Sequence, residues 1–297
     1  METILVTGGS GFIGRNLCKK LAGSGDQLVV LSRNPEDAVK VLPNSVRIID
    51  DLNQLNQPVD IVINLAGESI ANHRWSEKRK AKITQSRIQT SQNLFEYFRH
   101  SDKPPAIVIS GSAIGYYGGG VAGNEPVAEG GAVDSNFSSQ LCAKWENTVQ
   151  QFENLGSRVC FLRTGIVLGK QGALSKLLPA FKLGLGGPIA SGQQWMPWIH
   201  IDDMVQIIVY AIEQEISGPI NCTAPQPVTN KEFAKALGKV LKRPAIVPMP
   251  AVAVRLLFGQ MGDELMVQGQ CVIPQKLQQQ GFEFKYNDLH SALSQLL

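Results

Sequence analysis

Ile4-Leu5-Val6-Thr7-Gly8-Gly9-Ser10-Gly11-Phe12-Ile13-Gly14 decides how this chain folds. A short apolar run reads as a strand, Arg15 to Ala22 reads as a helix, and the glycines fall on the turn between them. Strand, glycine turn and helix in that order point to a dinucleotide site. The turn must be sharp, the backbone must come close to a pyrophosphate, and the helix must pack tightly on the strand. A diphosphate then lies at the helix N-terminus, where free N–H groups and the helix dipole favour an anion. Gly8, Ser10, Gly11, Phe12, Ile13 and Gly14 are the expected contacts. The bland alternative is a glycine-rich turn with no ligand.

The next apolar strand, Gln27-Leu28-Val29-Val30-Leu31, selects the coenzyme. NAD-binding chains usually place an Asp or Glu here to accept from the ribose 2′-hydroxyl. This chain has Ser32-Arg33 instead. A hydroxyl and a guanidinium suit a 2′-phosphate through charge-assisted hydrogen bonds. NADP(H) is therefore expected over NAD(H), against the alternative that Arg33 is a solvated surface residue.

Working outward, the first half alternates strand and helix. Further strands are read at Val46–Ile49, Asp60–Gly67, Ala106–Ser110 and Arg158–Thr164, with helices over 76–100 and 138–154. That alternation predicts an α/β fold with a Rossmann-type, doubly wound parallel sheet. Leu65, Ala66 and Gly67 leave room for a cofactor at a strand tip, and Ser110 and Thr164 end two others. The run Lys78, Arg79, Lys80 and Lys82 reads as a solvated helix face. Residues 118–131 read as a flexible loop. Asp202 is a candidate N-cap for an apolar helix, and Thr229 with Glu232 forms a capping box. Residues 1–169 and 200–224 are expected to form the nucleotide domain. Residues 170–199 and 225–297 would form a smaller C-terminal α/β region on the substrate side.

At 297 residues and a net charge of +3, the chain suits one large α/β domain with an appendage, and nucleic acid is not an expected partner. Five scattered cysteines without CxxC spacing read as reduced thiols of a cytoplasmic protein. The four histidines lack ligand spacing, so no metal is expected. No apolar run approaches the ~20 residues of a membrane span, and the first apolar stretch is too short for a signal peptide.

Several motifs stand in a fixed order: the glycine turn, Asn64-Leu65-Ala66-Gly67, Ser110-Gly111-Ser112-Ala113, Leu162-Arg163-Thr164-Gly165 and His200-Ile201-Asp202-Asp203. Together they resemble the extended short-chain dehydrogenase/reductase superfamily over residues 1 to 222. Arg74-Trp75-Ser76, Ser86-Arg87, Tyr116-Tyr117-Gly118, Ala143-Lys144-Trp145-Glu146 and Pro197-Trp198-Ile199-His200 look like its atypical epimerase-family branch, which ends in a small domain of unknown function. The resemblance implies a Tyr–Lys pair for proton transfer, a Ser that polarises a substrate oxygen, and a Lys that also holds the nicotinamide ribose. Ser112 and Lys144 match that pattern, but Gln140 stands four residues before Lys144 where the Tyr belongs. Arg87 takes the place of a common Asn.

Tyr116 or Tyr117 could supply the phenol, the alternative being aromatic packing over a substrate. Ser112 could instead tie down its strand end, and Lys144 could be solvated. His200 reads as a structural residue. Two functions follow. One is an NADP(H)-binding epimerase/dehydratase-like oxidoreductase for a sugar- or nucleotide-linked small molecule, with Ser112, Tyr117 and Lys144 as catalytic candidates. The other is a non-catalytic NADP(H)-binding redox sensor or regulator. Superfamily relatives often pair as homodimers.

Overall fold

The computed structural model describes residues 1–119 and 125–297. Its strands are β1 (Thr3–Thr7), β2 (Gln27–Leu31), β3 (Arg47–Ile49), β4 (Ile61–Asn64), β5 (Ile107–Ala113), β6 (Arg158–Thr164), β7 (Ile166–Leu168), β8 (Trp195–Met196), β9 (Trp198–His200), β10 (Gly218–Cys222) and β11 (Val228–Thr229). The helices are α1 (Phe12–Leu21), α2 (Pro35–Val39), α3 (Glu77–Phe98), α4 (Phe137–Gln150), α5 (Ala173–Lys182), α6 (Ile201–Glu213), α7 (Asn230–Leu241), α8 (Ala251–Gly262), α9 (Gln275–Gln279) and α10 (Leu289–Leu296).

The main sheet is parallel, in the order β10-β6-β5-β4-β1-β2-β3. Its strands are nearly continuous apolar runs because helices cover both faces. Side chains alternate between those faces. Ile4, Val6, Val30, Ile63 and Ile109 meet α1 and α6, while Leu5, Val29, Val62 and Val108 meet α3 and α4. Of the expected stripe, Trp145, Val149 and Phe152 are buried in the second of these cores, and Leu141 is buried as well. A third core joins α5, α7 and α10 through Leu174, Phe181, Phe233, Leu237 and Leu293, with Trp198 and Tyr286.

The chain runs outward from β1 to β3, then returns to the other side of β1 to build β4 onward. Ligands of open α/β sheets bind where the strand order reverses, beyond the carboxyl ends of the strands. Register brings the tips of β1, β4 and β5 level, with Thr7 beside Asn64 and Asn64 beside Ser110.

The expected capping box is present: Thr229 Oγ1 accepts from Glu232 N, and the Glu232 carboxylate accepts from Thr229 N. All five cysteines are buried and free. Two expectations are corrected. Asp202 is not the N-cap of α6; the His200 imidazole takes that role, its Nδ1 accepting from Asp202 N at 3.1 Å. Asp202 instead pairs with Lys285 at 3.0 Å. Nor is the charge run of α3 all solvated. Arg79 is half-buried and pairs with Glu68 at 2.9 Å, because the loop after β4 folds back over the first turn of α3. Part of the loop expected to be flexible, residues 120–124, lies outside the described residues.

Candidate nucleotide-binding site

The reversal point opens into a cleft of about 980 Å³. Gly8, Ser10, Gly11, Ser32, Arg33, Leu65, Ala66 and Gly67 all line it. Gly8 has a φ of +71°, and a Cβ there would lie 2.6 Å from the carbonyl carbon and oxygen of Leu65. A Cβ on Gly14 would lie 2.3 Å from Gly8 O. The turn, the β4 loop and the start of α1 therefore close on one another with no space for side chains.

Gly11 is the N-cap of α1, and no side chain caps the helix and no acid sits in its first turn. The open N–H groups of Phe12, Ile13 and Gly14 are what an anion requires. The rim of Phe12 packs where Gly169 would carry a Cβ, 2.5 Å away. At the far end, Thr90, Asn93, Leu94 and Tyr97 of α3 face Asp50, Asp51 and Leu52, giving a partly apolar wall with acceptors for an adenine. Arg33 is exposed at the end of β2 and forms no ion pair among the described residues. The donor set and the glycine cradle fit a dinucleotide with a phosphorylated ribose.

The tips beside this cleft carry the other expected residues. Thr7 Oγ1 donates to Asn64 Oδ1 at 2.7 Å, and Asn64 Nδ2 donates to Ser91 Oγ at 2.9 Å, so the tips of β1 and β4 are locked to α3. Ser110 is buried within β5. Thr164 ends β6, its hydroxyl donating to Leu162 O at 3.1 Å. Ser112 Oγ donates to Glu146 Oε1 at 2.6 Å. Lys144 is exposed on α4, two residues before Glu146, and forms no ion pair among the described residues. Gln140 is exposed, and its amide donates to Asp134 O at 2.8 Å.

Tyr117 is only 2% exposed. Its hydroxyl donates to Asn221 Oδ1 at 2.6 Å and accepts from Arg163 Nη1 at 2.9 Å. Burial pushes its pKa up to about 12. That phenol faces the core between β6 and β10, unlike the open position expected of a proton donor. Tyr116 is half-buried, with the Arg163 guanidinium 3.5 Å from its ring centroid.

The sequence motifs named Arg163 and Arg87 but not the buried polar contacts that each one makes. Arg163 donates from Nε and Nη2 to the two oxygens of Glu146, at 2.9 and 2.8 Å, and from Nη1 to Glu129 O at 3.0 Å. Glu129 in turn accepts from Asn221 N at 3.1 Å and from Lys276 N. A charge directly following the apolar run Val159-Cys160-Phe161-Leu162, within the same strand, was the available signal. Arg87 is the second of these residues. Its guanidinium lies 5.2 Å from the Trp145 ring centroid and donates to Glu68 O at 3.0 Å and Ile83 O at 3.1 Å. Burial lowers its pKa.

This fold and cleft define a nucleotide-binding α/β protein of the short-chain dehydrogenase/reductase architecture. The model of the NAD dependent epimerase/dehydratase family matches residues 4–222, and a domain of unknown function, DUF1731, matches residues 249–296. The chain belongs to that epimerase/dehydratase family. It is 37% identical over 299 residues to the epimerase family protein YfhF of Bacillus subtilis, covering 99% of this chain and 97% of the relative. It is 36% identical to the chloroplastic SDR39U1 homolog of Arabidopsis thaliana, covering 99% of this chain and 86% of the relative. The crystal structure of the human epimerase family protein SDR39U1 with NADPH superposes with a TM-score of 0.89 at 34% identity, over 99% of this chain and 98% of that one.

Proposed function

We propose that the chain binds NADP(H) in the cleft at the sheet reversal and acts as an oxidoreductase or epimerase on a sugar- or nucleotide-linked small molecule. One observation carries the reading: the uncapped N-terminus of α1 and the cation Arg33, without an ion pair among the described residues, face the same cleft, with Ser32 rather than an acid before it. The human relative crystallised with NADPH supports it. When bound, the nicotinamide supplies or takes up a hydride.

The chain's own groups then divide the work. The N–H groups of Phe12, Ile13 and Gly14 hold the diphosphate, and Ser32 and Arg33 hold the 2′-phosphate. Lys144 holds the nicotinamide ribose. Ser112, whose proton is already given to Glu146, has lone pairs free to accept from a substrate hydroxyl. Arg163 fixes the Glu146 carboxylate in place from behind. In this reading Tyr117 is a core residue and not a proton donor, because both sides of its hydroxyl are engaged.

A non-catalytic NADP(H)-binding sensor or regulator is the second reading. It is favoured by Gln140 at the usual Tyr position, with its amide spent on Asp134 O.

Calorimetry with NADPH and NADH tests the binding. NADPH is expected to bind and NADH much more weakly, with Arg33→Asp removing the preference. Absence of heat with either coenzyme would overturn both readings. NADPH oxidation across a panel of carbonyl compounds then separates them. Turnover supports the enzyme, and tight binding with no turnover supports the sensor.

A further inference from the structure

Among the described residues, two cationic side chains line the coenzyme cleft, Arg33 and Lys82. They come from different walls. Arg33 follows β2, and Lys82 lies on the second turn of α3. Glu68, on the loop after β4, lines the same cleft. Its Oε1 is held by Arg79 Nη1 at 2.9 Å, whereas Lys82 Nζ stands 3.7 Å from Oε2. The Lys82 contact is longer than a hydrogen bond and the lysine side chain is largely exposed, so it is readily given up. The hydrogen bond from Arg79, then the charges of Lys82, Arg79 and Arg33, hold the Glu68 carboxyl below its usual pKa.

Away from the glycine turn and the start of α1, the other charged residues of the cleft are acidic and disfavour a phosphate. Asp50 and Asp51 line its far end, and Asp37 is already paired with Lys40 at 2.7 Å. Negative charge at the end of β2 is met by Arg33 on one side and Lys82 on the other.

We propose that Lys82 is a second ligand for the 2′-phosphate of the coenzyme, and that Glu68 holds this lysine when no phosphate is there. The inference rests on the NADP(H) reading above. An arriving phosphate takes Lys82 from Glu68 and gains a second charge-assisted contact. Glu68 keeps Arg79 and is not left as an uncompensated charge. A coenzyme with a bare 2′-hydroxyl has no charge to exchange and leaves the Lys82–Glu68 contact in place. Glu68 and the phosphate thus compete for one cation, and the preference for the phosphorylated coenzyme is shared between Arg33 and Lys82.

Calorimetric titration of the full-length protein with NADPH and NADH tests this, using Lys82→Ala, Lys82→Gln, Glu68→Gln and Arg33→Ala. Lys82→Ala and Lys82→Gln are each expected to weaken NADPH about tenfold while NADH stays within about twofold. Glu68→Gln is expected to tighten NADPH more than NADH, because the competitor is gone. An unchanged NADPH-to-NADH ratio in Lys82→Ala overturns the proposal, as does equal weakening of both coenzymes. If Arg33→Ala loses the preference while Lys82→Ala keeps it, the coenzyme reading stands and this inference falls. If the unmodified protein binds neither, the coenzyme reading itself has failed. Should Glu68→Gln not fold, the two Lys82 variants decide the matter.

Discussion

Ser112 Oγ donates to Glu146 Oε1 at 2.6 Å, so the serine at the end of β5 reports directly on a buried carboxylate of α4. Arg163 of β6 clasps that same carboxylate through two nitrogens. Both charged side chains are buried. Removing one partner leaves the other as an uncompensated charge, at a cost of about 3–5 kcal/mol. Glu146→Ala and Arg163→Met should each lower stability by that order in urea unfolding. The double variant Glu146→Leu with Arg163→Met should cost well under the sum, because apolar replacement removes both desolvation penalties. Single variants that each cost under about 1 kcal/mol would mean that the pair is solvated rather than buried.

Tyr117 completes this network from the loop after β5. Loss of its hydroxyl leaves Asn221 Oδ1 and Arg163 Nη1 short of a partner. Tyr117→Phe is expected to cost about 1–3 kcal/mol and to leave NADPH affinity unchanged. The pH dependence has a definite sign. The folded state favours the neutral phenol, so this stabilisation is complete below the ordinary tyrosine pKa of about 10. It is lost as the pH climbs toward the folded value of about 12. Spectrophotometric titration should show one of the five tyrosines ionising late, and Tyr117→Phe should remove that late phase. A Tyr117→Phe variant with intact stability and lost turnover would return the phenol to the mechanism.

Local signals in the chain carried the frame, and long-range pairing carried what local signals missed. The strands were legible because parallel strands buried on both faces become apolar runs such as Ile61-Val62-Ile63. The Thr229–Glu232 box was legible because a cap spans only three residues. The α6 cap was misread because Asp is a far commoner cap than an imidazole, and only the structure places His200 Nδ1 over Asp202 N. Arg79 and Lys82 read as a solvated run because their shared partner, Glu68, lies on the preceding loop. Arg163 and Glu146 sit on a strand and a helix, and no period in either segment announces that they meet.

The two glycines of the α1 entry should respond differently to the same substitution. A Cβ on Gly14 would lie 2.3 Å from Gly8 O and 2.7 Å from Gly9 Cα, both backbone atoms. A Cβ on Gly11 would meet only Gly8 O, at 3.1 Å. Overpacking costs about 1–3 kcal/mol where side chains can shift, and backbone atoms of a tight turn yield less. Gly14→Ala should therefore lower the melting temperature and abolish NADPH binding, by forcing α1 off the turn. Gly11→Ala should keep the fold and lose affinity only modestly. Equal effects would mean that α1 does not pack against the turn as described.

The last prediction concerns the imidazole that joins the C-terminal helix α10 to the N-terminus of α6. His200 is 1% exposed, its Nδ1 accepts from Asp202 N, and the proton on Nε2 faces Gln295 Oε1 of α10 at 2.9 Å. Its ring also lies against Tyr286, with centroids 3.9 Å apart. Burial lowers the His200 pKa against the opposing charges of Asp202 and Asp203, and Lys285 adds to the lowering. Protonation would place a hydrogen on Nδ1 and destroy the cap. The unfolded chain therefore takes up the proton first, so stability from this group is complete above the unfolded pKa of about 6.5 and is lost as the pH falls through the lower folded value. Urea midpoints should drop between pH 7.5 and 5. His200→Asn keeps a capping side chain and removes the titration, so its midpoint should fall less over the same range. Asp203, whose carboxyl burial shifts upward, is common to both proteins and largely cancels in that comparison. Equal slopes for the two proteins would show that His200 does not carry the pH dependence.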